Sequence, residues 1–367
     1  MGFRYIGAKT RLLNKIIDKI SSLVGPGSHI VDLMSGTGSV SLSLKNAGYK
    51  VTANDIMTYS FHHCTVLLLL REYPSFKSAK NFIRTYYKKN TEYLFSETNY
   101  EIIINSLNNV TPLKGYFWRE FSPAGKPTNG CKVRNYFSPD NASKIDAIRA
   151  AIRKLYLEGN ITSLEHSLLL HDLILAANDY ANIAGTYGHY LSKIVNRTKE
   201  PFQVSPSKLT FINNKIKHKV FQEYAEDLAS KIKCDLCYID PPYMKRQYAA
   251  NYHLLETLAR EDEPEAVGVS GLRPWRDQYS NFCTKTKIRD SFRKIFGSMK
   301  CDNFLISYSE DGLLTIEELD RLFSEFGTVN IEEIKYKRFK SNNTKLPSTL
   351  TEYLIFLKRF QRVLDAT

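Results

Sequence analysis

Apolar residues in this chain gather into short β-prone runs separated by segments of helical length. The runs lie at 29–33 (HIVDL), 49–53 (YKVTA), 219–221, 235–239, 303–308 (NFLISY), 329–336 and 353–358. Helix-like spacing marks 39–47, which Gly48 is placed to end, as well as 66–70, 287–299 and 315–326. Strands that alternate with helices predict an α/β fold with a doubly wound, mostly parallel sheet. The alternation breaks between about 73 and 207. That stretch carries a lysine- and tyrosine-rich part at 84–89, a Gly/Pro-rich loop at 122–130 and an amphipathic helical part from Ala142 onward. It reads as a mainly helical domain (73–207) inserted between two halves, 1–72 and 208–367, of the sheet domain.

Two of the predicted strands end in chemistry. The first runs into Asp32 and then Ser35-Gly36-Thr37-Gly38, a glycine-rich turn that opens the helix at Ser39. The next strand ends in Asn54-Asp55, and Asp55 comes 17 residues after Gly38, near the spacing of an acid that holds ribose hydroxyls. Where a dinucleotide fingerprint has its third glycine this chain has Ser41, so close packing around a pyrophosphate is not provided. Asp32 would repel phosphates and attract an ammonium. A ligand with ribose and positive charge but no phosphate describes S-adenosyl-L-methionine.

The second such end is Asp240-Pro241-Pro242-Tyr243, after the run Cys237-Tyr238-Ile239. Neither proline has an N–H, so the ladder cannot continue and the carbonyls face the crevice where open α/β sheets bind ligands. Asp240 and such a carbonyl suit the two hydrogens of an exocyclic amine, with the Tyr243 ring stacked on the base that bears it.

The net charge of +13 favours a polyanionic partner. Basic clusters at Lys215, Lys217 and Lys219, and at Lys335, Lys337, Arg338 and Lys340, are candidate phosphate contacts. The six cysteines form no disulfide framework, and no metal site is expected: His62-His63-Cys64 are adjacent on a helix, and Cys234 and Cys237 point to opposite faces of a strand. With neither a signal peptide nor a membrane-length apolar run, a reducing, cytoplasmic setting without membrane contact is expected.

Taken together, these motifs resemble those of N6-adenine DNA methyltransferases of the alpha group, found in bacterial and phage restriction–modification systems. Phe3-Arg4-Tyr5-Ile6-Gly7-Ala8-Lys9 is similar to the group's amino-terminal cofactor motif, the segment from Asp32 to Ser39 to its cofactor loop, and Asp240-Pro241-Pro242-Tyr243 to its catalytic tetrapeptide. Leu305-Ile306-Ser307-Tyr308-Ser309 and Glu352-Tyr353-Leu354-Ile355-Phe356 are lesser matches. The resemblance implies a Rossmann-like S-adenosyl-L-methionine-dependent fold whose inserted segment recognises the target. It places Tyr5 and Lys9 along the cofactor, Ser35, Gly36, Thr37 and Gly38 around its methionine part, Asp55 on its ribose and Asp227 on its adenine amine, with Glu223 and Glu226 as competitors for the last. The expected substrate is a flipped adenine in double-stranded DNA, and the system it belongs to can include a cognate restriction endonuclease. The sequence leaves open the oligomeric state, an RNA or cytosine-amine substrate, and a catalytically degenerate nucleic-acid-binding module.

Overall fold

Each of the seven β-prone runs forms a strand: β1 (His29–Asp32), β2 (Lys50–Asn54), β3 (Lys219–Phe221), β4 (Leu236–Ile239), β5 (Asn303–Ser309), β6 (Gly327–Lys337) and β7 (Thr349–Arg359). The computed structural model describes residues 9–88, 97–129, 132–212, 215–337 and 349–360. Among them the strands form one sheet in the order β3-β2-β1-β4-β5-β7-β6. β1 runs parallel to β2 and β4, β2 to β3 and β4 to β5, whereas β7 is antiparallel to both β5 and β6. All four residues of β4 are buried, as expected of a parallel strand covered on both faces.

The order of strands reverses between β1 and β4, which is where such sheets open a crevice at their carboxyl ends. Asp32 pairs in register with Tyr238, and the Leu33 N–H donates to the Tyr238 carbonyl at 3.0 Å. Asp32 and Asp240 therefore end adjacent strands at the same edge. Beneath them the helices Ala225–Ala229, Ile288–Ser298 and Ile316–Ser324 contribute Leu228, Phe292, Ile295, Leu319 and Phe323 to a core with Val31, Cys237, Phe304 and Ile355. The amphipathic helix Leu13–Leu23, which the sequence reading passes over, buries Ile16 and Ile20 and packs on the helix Ser39–Asn46.

The chain divides into two compact units. One comprises Lys9–Ile56, Lys215–Gln247 and Tyr279–Thr367 and contains the sheet; the other comprises Met57–Asn214 with Tyr248–Gln278. The second unit thus extends beyond 73–207 at its start and takes in a segment distant in sequence. Its wiring explains why. Buried Glu256 accepts from the Thr58 N–H at 2.9 Å, closing the start of the helix Thr58–Leu69, and also binds Arg260 at 2.7 Å and Gln278 at 2.7 Å. Arg149, on the helix Pro139–Leu157, donates to the Asp262 carbonyl at 2.8 Å, and Arg273 grips the Asp262 carboxylate through both terminal nitrogens.

Histidines join the helices Thr58–Leu69 and Ser163–Tyr180 of this unit. His62 Nδ1 lies 3.0 Å from Ser167 Oγ, His63 Nδ1 lies 2.7 Å from His171 Nδ1, and His166 Nε2 meets Glu261 at 2.8 Å. Two imidazoles that share a proton at Nδ1 cannot both be charged. Burial, followed by the neighbouring His62, pushes His171 down to about 4, and burial holds His63 well below its usual value.

Because the unfolded chain binds these protons below about pH 6.5 and the folded chain does not, this pair removes stability as pH falls from 6.5 toward 4. We expect His171→Asn to flatten the loss of unfolding free energy between pH 6.5 and 5 by about 1.4 kcal/mol per pH unit at most. Urea titrations of both proteins at the two pH values check this, and parallel pH profiles would contradict it.

Candidate active site

The glycine turn exists because two of its residues take backbone angles that side chains disfavour. Gly36 and Gly38 have φ of 53° and 77°, and Gly38 caps the helix Ser39–Asn46. Ser35 Oγ lies within hydrogen-bond distance of two carbonyls, those of Asp32 at 2.9 Å and Asn54 at 3.2 Å. The Asp55 carboxylate accepts from the Gly36 N–H at 2.8 Å, so the acid after β2 is held on the loop after β1. Half-buried Thr37 donates to Ser39 Oγ at 3.3 Å. Asn54, the neighbour of Asp55, is buried and engaged at both ends of its amide. Its amide donates to the Leu33 and Glu223 carbonyls at 3.0 and 3.1 Å and accepts from the Glu223 N–H at 3.1 Å.

Asp32 is buried beside this turn. Ser41 Oγ donates to its Oδ2 at 2.6 Å, while Oδ1, equally buried, has no partner. Burial pushes the Asp32 carboxyl up to about 7; the Ser41 hydrogen bond works against that, and Asp240 and Asp55 add to it. A buried carboxylate oxygen with nothing to accept is costly unless a donor arrives, and an ammonium supplies one. Ser41 is therefore more than a missing glycine. The same substitution that departs from the dinucleotide pattern aims the acid.

The second centre lies at the end of β4. The Lys9 ammonium, buried, sits 3.1 Å from Asp240 Oδ1 and also binds Glu352 Oε1, with the Tyr243 ring centroid 5.3 Å away. Ser307 Oγ donates to the same Glu352 oxygen at 3.3 Å, and Glu352 Oε2 is buried without a partner. Burial pulls the Lys9 pKa down, but Asp240, Tyr243 and Glu352 outweigh it and the net direction is well upward. Asp240 is pushed up to about 7, first by burial and then by Glu352, against the pull of Lys9. Its side chain is still 19% exposed, which leaves it open to a ligand. Pro241 is buried and Pro242 half-buried, and the Tyr243 carbonyl accepts from Leu313 N–H at 3.0 Å, fixing the loop. The Tyr243 ring leans on Tyr308 at 5.6 Å between centroids. Glu352 carried no assigned role in sequence; its signal was an acid inside an otherwise apolar strand.

Asp227 stands apart from these groups. It is exposed and ion-paired with Lys294 at 2.8 Å, in a pocket also lined by Tyr224, Glu226 and Lys287. Glu226 instead accepts from Ser291 at 2.6 Å, and the backbone of Glu223, not that of Asp227, is tied to β1 and β2 through Asn54. Tyr5 lies outside the described residues. His253 is buried in the second unit with Nε2 3.1 Å from the Tyr187 carbonyl, and burial lowers its pKa to about 3. Among the described residues no His, Cys, Asp and Glu group is arranged to hold a metal ion, and no helix is long and apolar enough to cross a membrane.

A mostly parallel seven-stranded sheet with flanking helices and these carboxylates at its switch point is an α/β Rossmann-like methyltransferase fold. The chain belongs to the D12 class N6 adenine-specific DNA methyltransferase family, whose profile matches residues 5–335. It is 33% identical over 363 residues to the type II methyltransferase M.FokI of Planomicrobium okeanokoites and 31% identical over 363 residues to the modification methylase StsI of Streptococcus sanguinis. In both cases 97% of this chain is matched, and the chain spans about half the length (52%) of each relative. The type II methyltransferase M.NlaIII of Neisseria lactamica is 29% identical over 363 residues and is matched along 99% of its length.

If Ser41 aims Asp32, then Ser41→Ala leaves a second buried oxygen unpaired. The expected cost is about 1–3 kcal/mol of unfolding free energy. Denaturant titration measures it, and a change below about 0.5 kcal/mol would assign the Ser41–Asp32 contact no structural weight.

Proposed function

We propose that this chain is a site-specific methyltransferase of the alpha group that modifies the exocyclic N6 amine of an adenine flipped out of double-stranded DNA. The observation that carries the reading is the partly exposed Asp240 carboxylate before Tyr243, at the end of the strand adjacent to Asp32 and its unpartnered oxygen. Family membership makes S-adenosyl-L-methionine the expected methyl donor, and when bound it supplies an electrophilic sulfonium methyl. The residues present fit it. Asp32 Oδ1 would take its ammonium, Ser35 to Gly38 would follow its methionine part, Asp55 would hold its ribose, and Tyr5 and Lys9 would lie along it. Asp227 would reach its adenine amine only by giving up Lys294, which favours the Glu223 turn as the alternative.

The remaining work falls to Asp240, Pro241 and Tyr243. An aromatic amine is a poor nucleophile because its lone pair is delocalised into the ring. Hydrogen bonds from its two N–H groups to Asp240 and the Pro241 carbonyl favour a tetrahedral nitrogen whose lone pair is free to attack. Holding the reacting atoms in line contributes of order 7–11 kcal/mol at best. The nitrogen becomes acidic once it has gained the methyl, and a carboxylate with a pKa of about 7 is matched to take up that proton. Tyr243 would stack on the extruded base, which is worth about 1–3 kcal/mol.

The helical segment from 73 to 207 would supply sequence recognition, and the exposed Lys215, Lys217 and Lys219 by edge strand β3 would supply phosphate contacts. The names of the relatives support a place in a restriction–modification system; a cognate endonuclease would be its partner and the cytoplasm its setting.

Asp240→Ala tests the chemistry. It should lower methyl transfer by about 100- to 1,000-fold, as for loss of a group that stabilises the transition state, while calorimetry finds cofactor affinity within a few-fold of wild type. Turnover within a few-fold of wild type would remove Asp240 from the mechanism.

A further inference from the structure

The arrangement around Lys9 contains one buried oxygen that accepts no hydrogen bond. Lys9 reaches both Asp240 Oδ1 and Glu352 Oε1, while Glu352 Oε2 is buried and accepts nothing. Lys9 and Glu352 are separated by 343 residues, so the pair is made by the fold: Lys9 opens the short turn Lys9–Arg11, and Glu352 lies on β7 opposite Ser309 of β5. Leaving a carboxylate oxygen dry and unpaired is unfavourable, and a buried ion pair is weak evidence for stability on its own account. The arrangement makes sense if the oxygen is occupied at another stage of the cycle.

We infer that Glu352 is a positioning residue that receives Lys9 when the target amine displaces it from Asp240. The inference rests on the reading of Asp240 as the acceptor of that amine. One lone-pair direction of Asp240 is taken by Lys9. An incoming amine must win it, and the ammonium hydrogen it displaces needs another acceptor. Glu352 Oε2, on the carboxylate that Lys9 already binds, is buried and accepts nothing. Lys9 need not leave the site; it turns from a bridge between two acids into a two-point partner of one. No bond other than hydrogen bonds is exchanged.

The groups facing this exchange come from several elements: Tyr238 of β4, whose hydroxyl is buried, Ser307 of β5, Asp32 of β1 and Tyr243 of the catalytic loop. Between the exchanging groups themselves, Glu352 is the nearby charge that raises the pKa of Asp240, and Lys9 the one that lowers it. Removing the Glu352 charge therefore lowers the Asp240 pKa, and it leaves Lys9 with Asp240 as its sole ionised partner.

The test compares wild type, Glu352→Gln, Glu352→Asp, Lys9→Met and the Lys9→Met/Glu352→Gln double variant, all as the full chain, on duplex DNA with S-adenosyl-L-methionine. Glu352→Gln should lower kcat by about 10- to 100-fold, the scale of one hydrogen bond to a charged group. Its KM for the methyl donor should stay within a few-fold, and the acid limb of its pH–rate profile should move to lower pH. Glu352→Asp, which keeps the charge, should keep the wild-type limb and recover part of kcat. In the Lys9→Met background, Glu352→Gln should have no further effect, because the two act as a unit.

Unchanged kcat in Glu352→Gln overturns the inference. So does a fall in kcat with an unmoved acid limb, or one that adds fully to Lys9→Met, since either describes a merely structural acid. If Glu352→Gln does not fold, Glu352→Asp decides by whether its limb stays and its kcat partly returns. Absence of methylated adenine from the wild-type reaction would instead sink the proposed function, which separates the two failures.

Discussion

The charge balance at one lysine governs the carboxyl edge of this sheet. Lys9 is buried against two acids, and without it Asp240 and Glu352 would be neighbouring carboxylates in a dry site. Two such groups cannot both stay ionised near neutral pH unless a cation lies between them. The ammonium keeps Asp240 near pH 7, where burial alone would carry it higher. That contact gathers Asp240, Glu352 and the Tyr243 ring around one cation.

The rest of the sheet domain can be understood as support for this edge. Parallel pairing of β1 with β4 sets Asp32 next to the segment Asp240-Pro241-Pro242-Tyr243, and Asn54 ties the ends of β1 and β2 to the turn after β3. Ser41 and Gly36 then fix the directions of two acids, Asp32 and Asp55, through one hydrogen bond each. Short polar contacts between consecutive loops thus do at the strand ends what the packing of Val31, Cys237 and Phe304 does below them.

Much of this was legible in the sequence, for a physical reason. Strands buried on both faces read as continuous apolar runs, so β1, β4 and β5 are visible without knowledge of their partners, and glycines needed at positive φ mark the turn after β1. What was not legible depends on contacts across long stretches of chain. Glu352 in β7 looks like an outward-facing polar residue until Lys9, 343 residues away, is placed on it. The attachment of 248–278 to the helical unit hinges on Glu256 meeting the start of a helix 198 residues earlier, which no local pattern reveals. Asp227 shows the opposite case: an acid at a plausible spacing after β3 whose side chain turns outward to Lys294.

The most direct test of the account is a map of modified bases. The chain is expressed in a host that lacks DNA methylation, and the genome is read by single-molecule sequencing. The account predicts N6-methyladenine at one recurring sequence motif, absent from cells that carry an empty vector. Unmodified DNA in the presence of soluble protein, or methylation on cytosine alone, would contradict it.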